Sequence, residues 1–268
     1  MKLENKVIVI TGSTRGIGRA AAEACAREGG KIVICSRSKE AVTEACDSLV
    51  RNGFDAAGVA ADVSRESDLK RVFDHAMKRY GKIDVWINNA GISGGYRMLH
   101  DLNEDEICDI VNSNLTGTLQ ACKIVIPYFI ENKGIIINMG GKGGRCEASP
   151  YMTVYAATKA AVTSLTKSLA QEYKGYTLSI HCVFPGMVET DFYKDIKVSP
   201  DLAHTAKSIP VALKVFGVPK DKVARAIVDI CAQEPGRKTG NLYSVMGKTK
   251  MMKAVLTMIW YRMTRKLS

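Results

Sequence analysis

The chain has 268 residues, 46% of them hydrophobic and 24% charged, with 23 glycines and 7 prolines. That balance excludes an intrinsically disordered or collagen-like chain, and no apolar run reaches the ~18 residues a transmembrane helix needs. The net charge of +11 is unevenly placed: Pro235 to Ser268 hold eight Lys/Arg and no Asp or Glu, leaving 30 basic against 27 acidic residues elsewhere. A nucleic-acid binder spreads basic charge over a face of its fold, so no nucleic-acid partner is expected.

Residues 6–11 (KVIVIT) are a β-branched run that predicts a buried strand. A Gly-rich turn follows, then a helix over about 17–28, ended by Gly29-Gly30. Residues 31–36 predict a second strand, 39–52 a helix, 55–60 a third strand, 66–80 a helix ended by Gly81, and 83–88 a fourth strand. A helix at about 103–112 leads into a longer one at about 115–131. Then come a fifth strand at 134–139, a long helix at 152–173 and a sixth strand at 178–184. Residues 186–219 have no clear period. A helix at about 220–233, a short strand at 241–246 and an amphipathic segment at about 249–264 complete the chain. Apolar strands alternating with helices imply parallel strands, joined by right-handed crossovers and covered on both faces. The expected fold is α/β, a doubly wound (Rossmann) parallel sheet of about seven strands. It forms one domain over 1–247, followed by a basic tail at 248–268.

The eight cysteines (25, 35, 46, 108, 122, 146, 182 and 231) form no C-x-x-C and no zinc-spaced cluster with histidine. They read as small hydrophobes in a reducing compartment, and no metal is expected. The start, MKLENKVIVITG, has no secretory pattern, so a cytoplasmic protein is expected.

Between the first strand and first helix lies Thr11-Gly12-Ser13-Thr14-Arg15-Gly16-Ile17-Gly18. Glycines let such a turn approach a pyrophosphate, and the helix N-terminus offers it free N–H groups and a positive dipole end. The spacing G-x3-G-x-G resembles the TGxxxGIG of the short-chain dehydrogenase/reductase family, and further motifs follow in order over about residues 5–247. The resemblance implies that Asp62 and Val63 hold the adenine, and that Asn89, Ala90 and Gly91 line the cofactor. It implies that Pro185, Gly186, Val188 and Thr190 hold the nicotinamide end, and that residues 187–217 form a substrate lid.

The end of the second strand bears on which nicotinamide cofactor binds. A carboxylate there bonds the ribose of NAD. Here Ser36 occupies that position and Arg37 follows. A guanidinium suits a 2′-phosphate, and Arg15 is a second candidate clamp, so NADP(H) is favoured.

Tyr155-Ala156-Ala157-Thr158-Lys159 matches YxxxK, whose ends share one helical face. An ammonium beside a phenol favours the phenolate, so Lys159 is expected to lower the Tyr155 pKa and let it exchange a proton with a carbonyl or alcohol oxygen. By resemblance Lys159 also binds the nicotinamide ribose, and Asn114 holds a water in the proton relay. The family's catalytic serine is missing. Counting forward from Asn138 puts Gly141 at its place, and counting back from Tyr155 puts Lys142 there. Three readings stand: Lys142 is the donor, Ser93 or a water is, or the protein binds NADP and turns over poorly.

The stretches NMGGKGG, SPYMTVYAATK and HCVFPGMVETD are similar to plant chlorophyll b reductases, which implies a bulky hydrophobic substrate. The lid agrees, carrying Phe192, Tyr193, Ile196, Leu202, Ile209, Val211, Leu213 and Phe216. His100 and His204 are candidates to face substrate, but read rather as loop or surface residues. The tail sets Met252, Val255, Leu256, Ile259, Trp260 and Met263 opposite Lys250, Lys253 and Thr257. Such a segment packs as a helix on a subunit or over the pocket, lies peripherally on a membrane surface, or frays. The expected protein is an NADP(H)-dependent oxidoreductase interconverting a hydrophobic carbonyl and alcohol. By resemblance it is a homodimer or homotetramer, with the helices at 115–131 and 152–173 at the interface. The competing reading is a cofactor-binding protein with weak or no catalysis.

Overall fold

The short β-branched runs become strands because both faces of each strand can be buried. They are β1 (Val7–Thr11), β2 (Lys31–Ser36), β3 (Ala56–Ala60), β4 (Val85–Asn88), β5 (Gly134–Met139), β6 (Leu178–Phe184) and β7 (Leu242–Ser244). This computed structural model describes residues 1–193 and 196–247, together with Met252, Ala254, Leu256 and Thr257. The seven strands form one sheet in the order β3-β2-β1-β4-β5-β6-β7, every pair parallel. The order reverses between β1 and β4, where open α/β sheets leave a crevice at the carboxyl ends of their strands.

Alternate strand residues feed two cores. Ile8, Ile10, Ile32, Ile34, Ile87 and Ile137 pack against α1 (Gly16–Arg27), α2 (Lys39–Arg51) and α9 (Lys220–Cys231). Val7, Val9, Val33, Trp86 and Ile136 pack against α3 (Glu66–Tyr80) and α5 (Gly117–Asn132). Near the crevice a buried polar chain ties the strands to α6 (Thr153–Glu172). Trp86 Nε1 donates to Asn88 Oδ1 (2.8 Å), Asn88 Nδ2 to Asn138 Oδ1 (2.9 Å), and Asn138 Nδ2 to Thr166 Oγ1 (3.0 Å). With every donor partnered, this chain fixes the packing of β4, β5 and α6 without an unsatisfied buried group.

The doubly wound sheet is as expected, and three local expectations change. The two helices predicted at 103–112 and 115–131 are one run. α4 (Glu104–Val111), opened by an Asn103–Glu106 capping box, passes through a π turn at Asn112–Thr116 into α5. The stretch without a period holds short elements: a 3₁₀ turn at Pro200–Leu202, α7 (Ala203–Ala206) and α8 (Ile209–Phe216). Elements of three to eight residues are too short to establish a period. The last strand keeps only three of its six expected residues.

In the tail, Met252, Ala254, Leu256 and Thr257 are helical; Ala254 is buried, and Met252 and Leu256 are exposed. The rest of the amphipathic segment lies outside the described residues. Among the described residues, no helix is long and apolar enough to cross a membrane.

Candidate active site

The crevice at the β1–β4 reversal is a cleft of about 680 Å³. Its floor is the Gly-rich turn. Gly12 and Gly16 have φ of +63° and +59°, a region that favours glycine. A Cβ at Gly12 would lie 2.8 Å from Ala90 Cα, and one at Gly18 would lie 2.5 Å from Asn89 Nδ2. Asn89 braces the turn from β4: its Nδ2 donates to Thr11 O and Gly12 O, both at 2.9 Å. The backbone N–H groups of Asn89 and Ala90 donate to Thr11 Oγ1 at 3.0 and 3.1 Å.

Most residues expected to touch the cofactor line this cleft: Gly12, Thr14, Arg15, Gly16, Ile17, Ser36, Arg37, Asp62, Val63, Asn89, Ala90, Gly91, Tyr155, Lys159, Pro185, Gly186, Val188 and Thr190. Ser13, Gly18 and Asn114 do not. Ser13 is buried and turned inward; its Oγ donates to Ile10 O (2.6 Å) and accepts from Cys35 N–H (3.0 Å). Its side chain joins β1 to β2 instead of reaching a ligand. Gly18 keeps α1 close to the turn. Asn114 sits behind the wall in the π turn, fully buried. Its Oδ1 accepts from Ile92 N–H (2.8 Å), and its Nδ2 donates to Ile92 O (2.9 Å) and Thr158 Oγ1 (3.2 Å).

At the ribose end, Arg15 and Arg37 are exposed, and neither is ion-paired among the described residues. Asp62 accepts from Ser64 N–H (3.0 Å) and Oγ–H (2.8 Å). Partial burial pushes its carboxyl up, but these bonds and the Arg37 and Arg65 charges bring it below its usual value.

At the reaction end, Tyr155 and Lys159 lie one turn apart on α6, both buried. The expected lowering of the tyrosine does not occur in this arrangement. Burial, with the neighbouring Tyr193 phenol, raises the Tyr155 pKa. The Lys159 ammonium lies over the Tyr155 ring, 5.6 Å from its centre, and donates to Met139 O at 2.9 Å. Burial brings Lys159 itself down to about 8.

The loop after β5 explains the missing serine. At its glycines it lies tightly on α6 and β6. A Cβ at Gly141 would fall on the Tyr155 hydroxyl and 3.1 Å from Lys159 Cγ; one at Gly144 would lie 2.7 Å from Phe184 Cε1. Glu147 pins the loop, accepting from Gly143 N–H (2.7 Å) and Arg145 N–H (2.9 Å). Lys142 is exposed and outside the cleft lining, whereas Ser93 lines the cleft.

The lid closes the cleft with Phe192, Tyr193 and Ile196. Phe192 meets Tyr155 edge-on at 5.4 Å and Tyr193 at 5.1 Å. The sequence reading missed the lid's fastening. Tyr96 N–H donates to Lys197 O (2.8 Å) and Ser199 N–H to Tyr96 O (3.3 Å). Glu106 Oε1 takes both Arg97 and Lys197 at 2.9 Å. These residues lie far apart in sequence, and no local motif joins them. His100 and His204 are exposed, as expected. Cys108 and Cys146 are exposed, unlike the buried hydrophobes expected, because they lie on an open helix face and in the loop after β5. Among the described residues no His/Cys/Asp/Glu group could hold a metal.

A parallel sheet with a glycine cradle at its reversal and a Tyr/Lys pair at the cleft's far end defines a nicotinamide-type oxidoreductase. The chain belongs to the short chain dehydrogenase family, whose model matches residues 6–200. The 3-oxoacyl-[acyl-carrier-protein] reductase FabG of Thermotoga maritima is 32% identical over 252 residues, 92% of this chain and 98% of its own. The 3beta-hydroxysteroid dehydrogenase 1 of Eggerthella lenta is 33% identical, over 91% of this chain and 94% of its own. The probable chlorophyll(ide) b reductase NYC1 of Oryza sativa is 34% identical, over 69% of this chain and 40% of its own. Among solved structures, the 3-ketoacyl-(acyl-carrier-protein) reductase of Brucella melitensis complexed with NADH superposes with a TM-score of 0.80 at 28% identity, over 92% and 99% of the two chains. An actinorhodin polyketide ketoreductase with NADPH gives 0.79 at 28%, over 90% and 96%.

Proposed function

We propose that the protein is an NADP(H)-dependent carbonyl reductase or alcohol dehydrogenase acting on a bulky hydrophobic substrate. The observation that carries this reading is the cleft itself, with two exposed arginines at one end and a buried Tyr155–Lys159 pair under an aromatic lid at the other. The glycine cradle fits a dinucleotide, because Gly12 and Gly16 line the cleft without side chains just before α1. The N-terminus of α1 faces the pyrophosphate position. Ser36 would leave a 2′-phosphate unopposed, and the exposed Arg37 and Arg15 would bind it. Val63, Asn89, Ala90 and Gly91 border the adenine and ribose positions; Pro185, Gly186, Val188 and Thr190 border the nicotinamide.

The nicotinamide supplies or takes the hydride. Tyr155 supplies the proton: its phenol, protonated at neutral pH, donates to the developing alkoxide. Lys159 holds the ribose, and Asn114 keeps the wall behind Ile92 in place. Steroid-sized or tetrapyrrole-like carbonyls suit the apolar lid, and relatives named for hydroxysteroid and chlorophyll(ide) b chemistry support that class. The reading includes a homodimer or homotetramer through α5 and α6. Leu119 on α5, 43% exposed, supplies apolar surface for such a contact. It also includes a peripheral membrane contact by residues 248–268, a segment mostly outside the described residues.

A second reading, a cofactor-binding protein with slow turnover, is favoured by one observation: neither Gly141 nor Lys142 offers a donor to the cleft. Arg37→Ala tests the cofactor assignment. It is expected to weaken NADPH binding about 10- to 100-fold, the equivalent of a charge-assisted pair, and to leave NADH binding unchanged. Equal losses for both cofactors, or none, would refute the assignment. NADPH consumption with hydrophobic ketones separates the two readings.

A further inference from the structure

Reduction of a carbonyl concentrates negative charge on one oxygen, and a second donor beside the acid typically contributes ~10²–10³ in rate. The loop after β5 supplies none: Gly141 carries no side chain, and Lys142 is exposed and not among the residues lining the cleft. The lid brings another hydroxyl instead. Phe192 and Tyr193 both line the cleft, with Phe192 edge-on to Tyr155 (5.4 Å) and Tyr193 edge-on to Phe192 (5.1 Å). The Tyr193 backbone is anchored, its N–H donating to Thr190 O at 3.0 Å.

We propose that the Tyr193 hydroxyl is a catalytic donor, bonding the substrate oxygen in the role the family's serine usually fills. The assignment rests on the carbonyl chemistry proposed above. In that step a hydride from NADPH forms the new C–H bond, and the C=O π pair moves onto oxygen. That oxygen takes the Tyr155 proton, and Tyr155 regains one from solvent. Carbonyl, NADPH and a proton give alcohol and NADP⁺. The Tyr193 O–H bond stays intact throughout. Ser93 also borders the cleft; its Oγ accepts from Gly95 N–H (3.1 Å), which ties it to its own turn but leaves its O–H free, so Ser93→Ala is the control for the alternative donor.

Tyr193→Phe removes the hydroxyl and keeps the ring contacts. With 9,10-phenanthrenequinone and NADPH, kcat is expected to fall about 100-fold, with KM and NADPH affinity held within about twofold. Ser93→Ala and Lys142→Ala should stay within about threefold. Gly141→Ser in the Tyr193→Phe background should not restore the rate. An unchanged kcat in Tyr193→Phe would overturn the proposal, as would an equal loss in Ser93→Ala. A second measurement does not depend on turnover. 4-Nitrophenolate, whose absorbance shifts when its oxygen accepts hydrogen bonds, is titrated into the NADP⁺ complex. Tyr193→Phe should bind it about tenfold more weakly and lose part of the shift. Equal binding and shift in both proteins, or binding by neither, would overturn the assignment. Nitrophenolate discrimination without any carbonyl turnover would leave the donor in place and remove the reductase reading.

Discussion

His181, in the middle of β6, has both ring nitrogens buried and without a hydrogen-bond partner. Its ring meets Tyr243 of β7 edge-on at 5.4 Å. Burial disfavours the charged imidazole and brings its pKa down to about 4, against about 6.5 in the unfolded chain. The unfolded state therefore takes up the proton first as pH falls. Stability is unaffected above about pH 7 and is lost between about 6.5 and 4, by at most about 3 kcal/mol. His181→Phe should leave stability near neutral pH within about 1 kcal/mol and flatten that acid slope, read by urea unfolding at pH 7 and pH 5. A slope unchanged in the variant would place the acid sensitivity elsewhere. At the same scale, Gly141 and Tyr155 explain each other. The phenol hydroxyl occupies the space a Cβ at 141 would need, so a side chain there requires the Tyr155 ring to shift.

Among elements, the lid depends on a carboxylate of α4. Glu106 holds Arg97 and Lys197, and these two charges, with the Asn103 N–H, bring its carboxyl down to about 2. Ser199 Oγ adds bonds to Met98 N–H (3.0 Å) and Asp101. Because Glu106 stays ionised to about pH 2, mild acid does not release this fastening. Glu106→Gln should speed amide exchange at Tyr96 and Ser199 by up to about tenfold while changing global stability little, since Lys197 is exposed and Gln can still accept from the half-buried Arg97. Unchanged exchange would show that the backbone bridge alone holds the lid.

In the molecule as a whole, the sheet and cofactor cleft were legible in the sequence. β-branched runs separated by helical periods admit few arrangements, and Gly12 and Gly16 mark where the backbone lines the cleft. The covalent neighbourhood of a residue did not reveal which way it faces. Ser13 reads as a phosphate contact, yet its hydroxyl turns inward to join β1 and β2. Lys159 reads as a partner of the Tyr155 hydroxyl, yet its ammonium reaches Met139 O. The π turn that seats Asn114 interrupts a helix without any break in composition. The lid's fastening joins residues about 90 positions apart, which no local period encodes.

The central claim is hydride transfer from NADPH with Tyr155 as the acid. Its most direct measurement is the rate of NADPH oxidation by a hydrophobic ketone in the unaltered protein and in Tyr155→Phe, with NADPH binding followed by fluorescence in both. The account predicts turnover in the first, a loss of about 10²–10⁴-fold in the second, and cofactor affinity unchanged within about threefold. Equal rates in the two proteins, or no NADPH oxidation by the unaltered chain with any hydrophobic carbonyl, would contradict it.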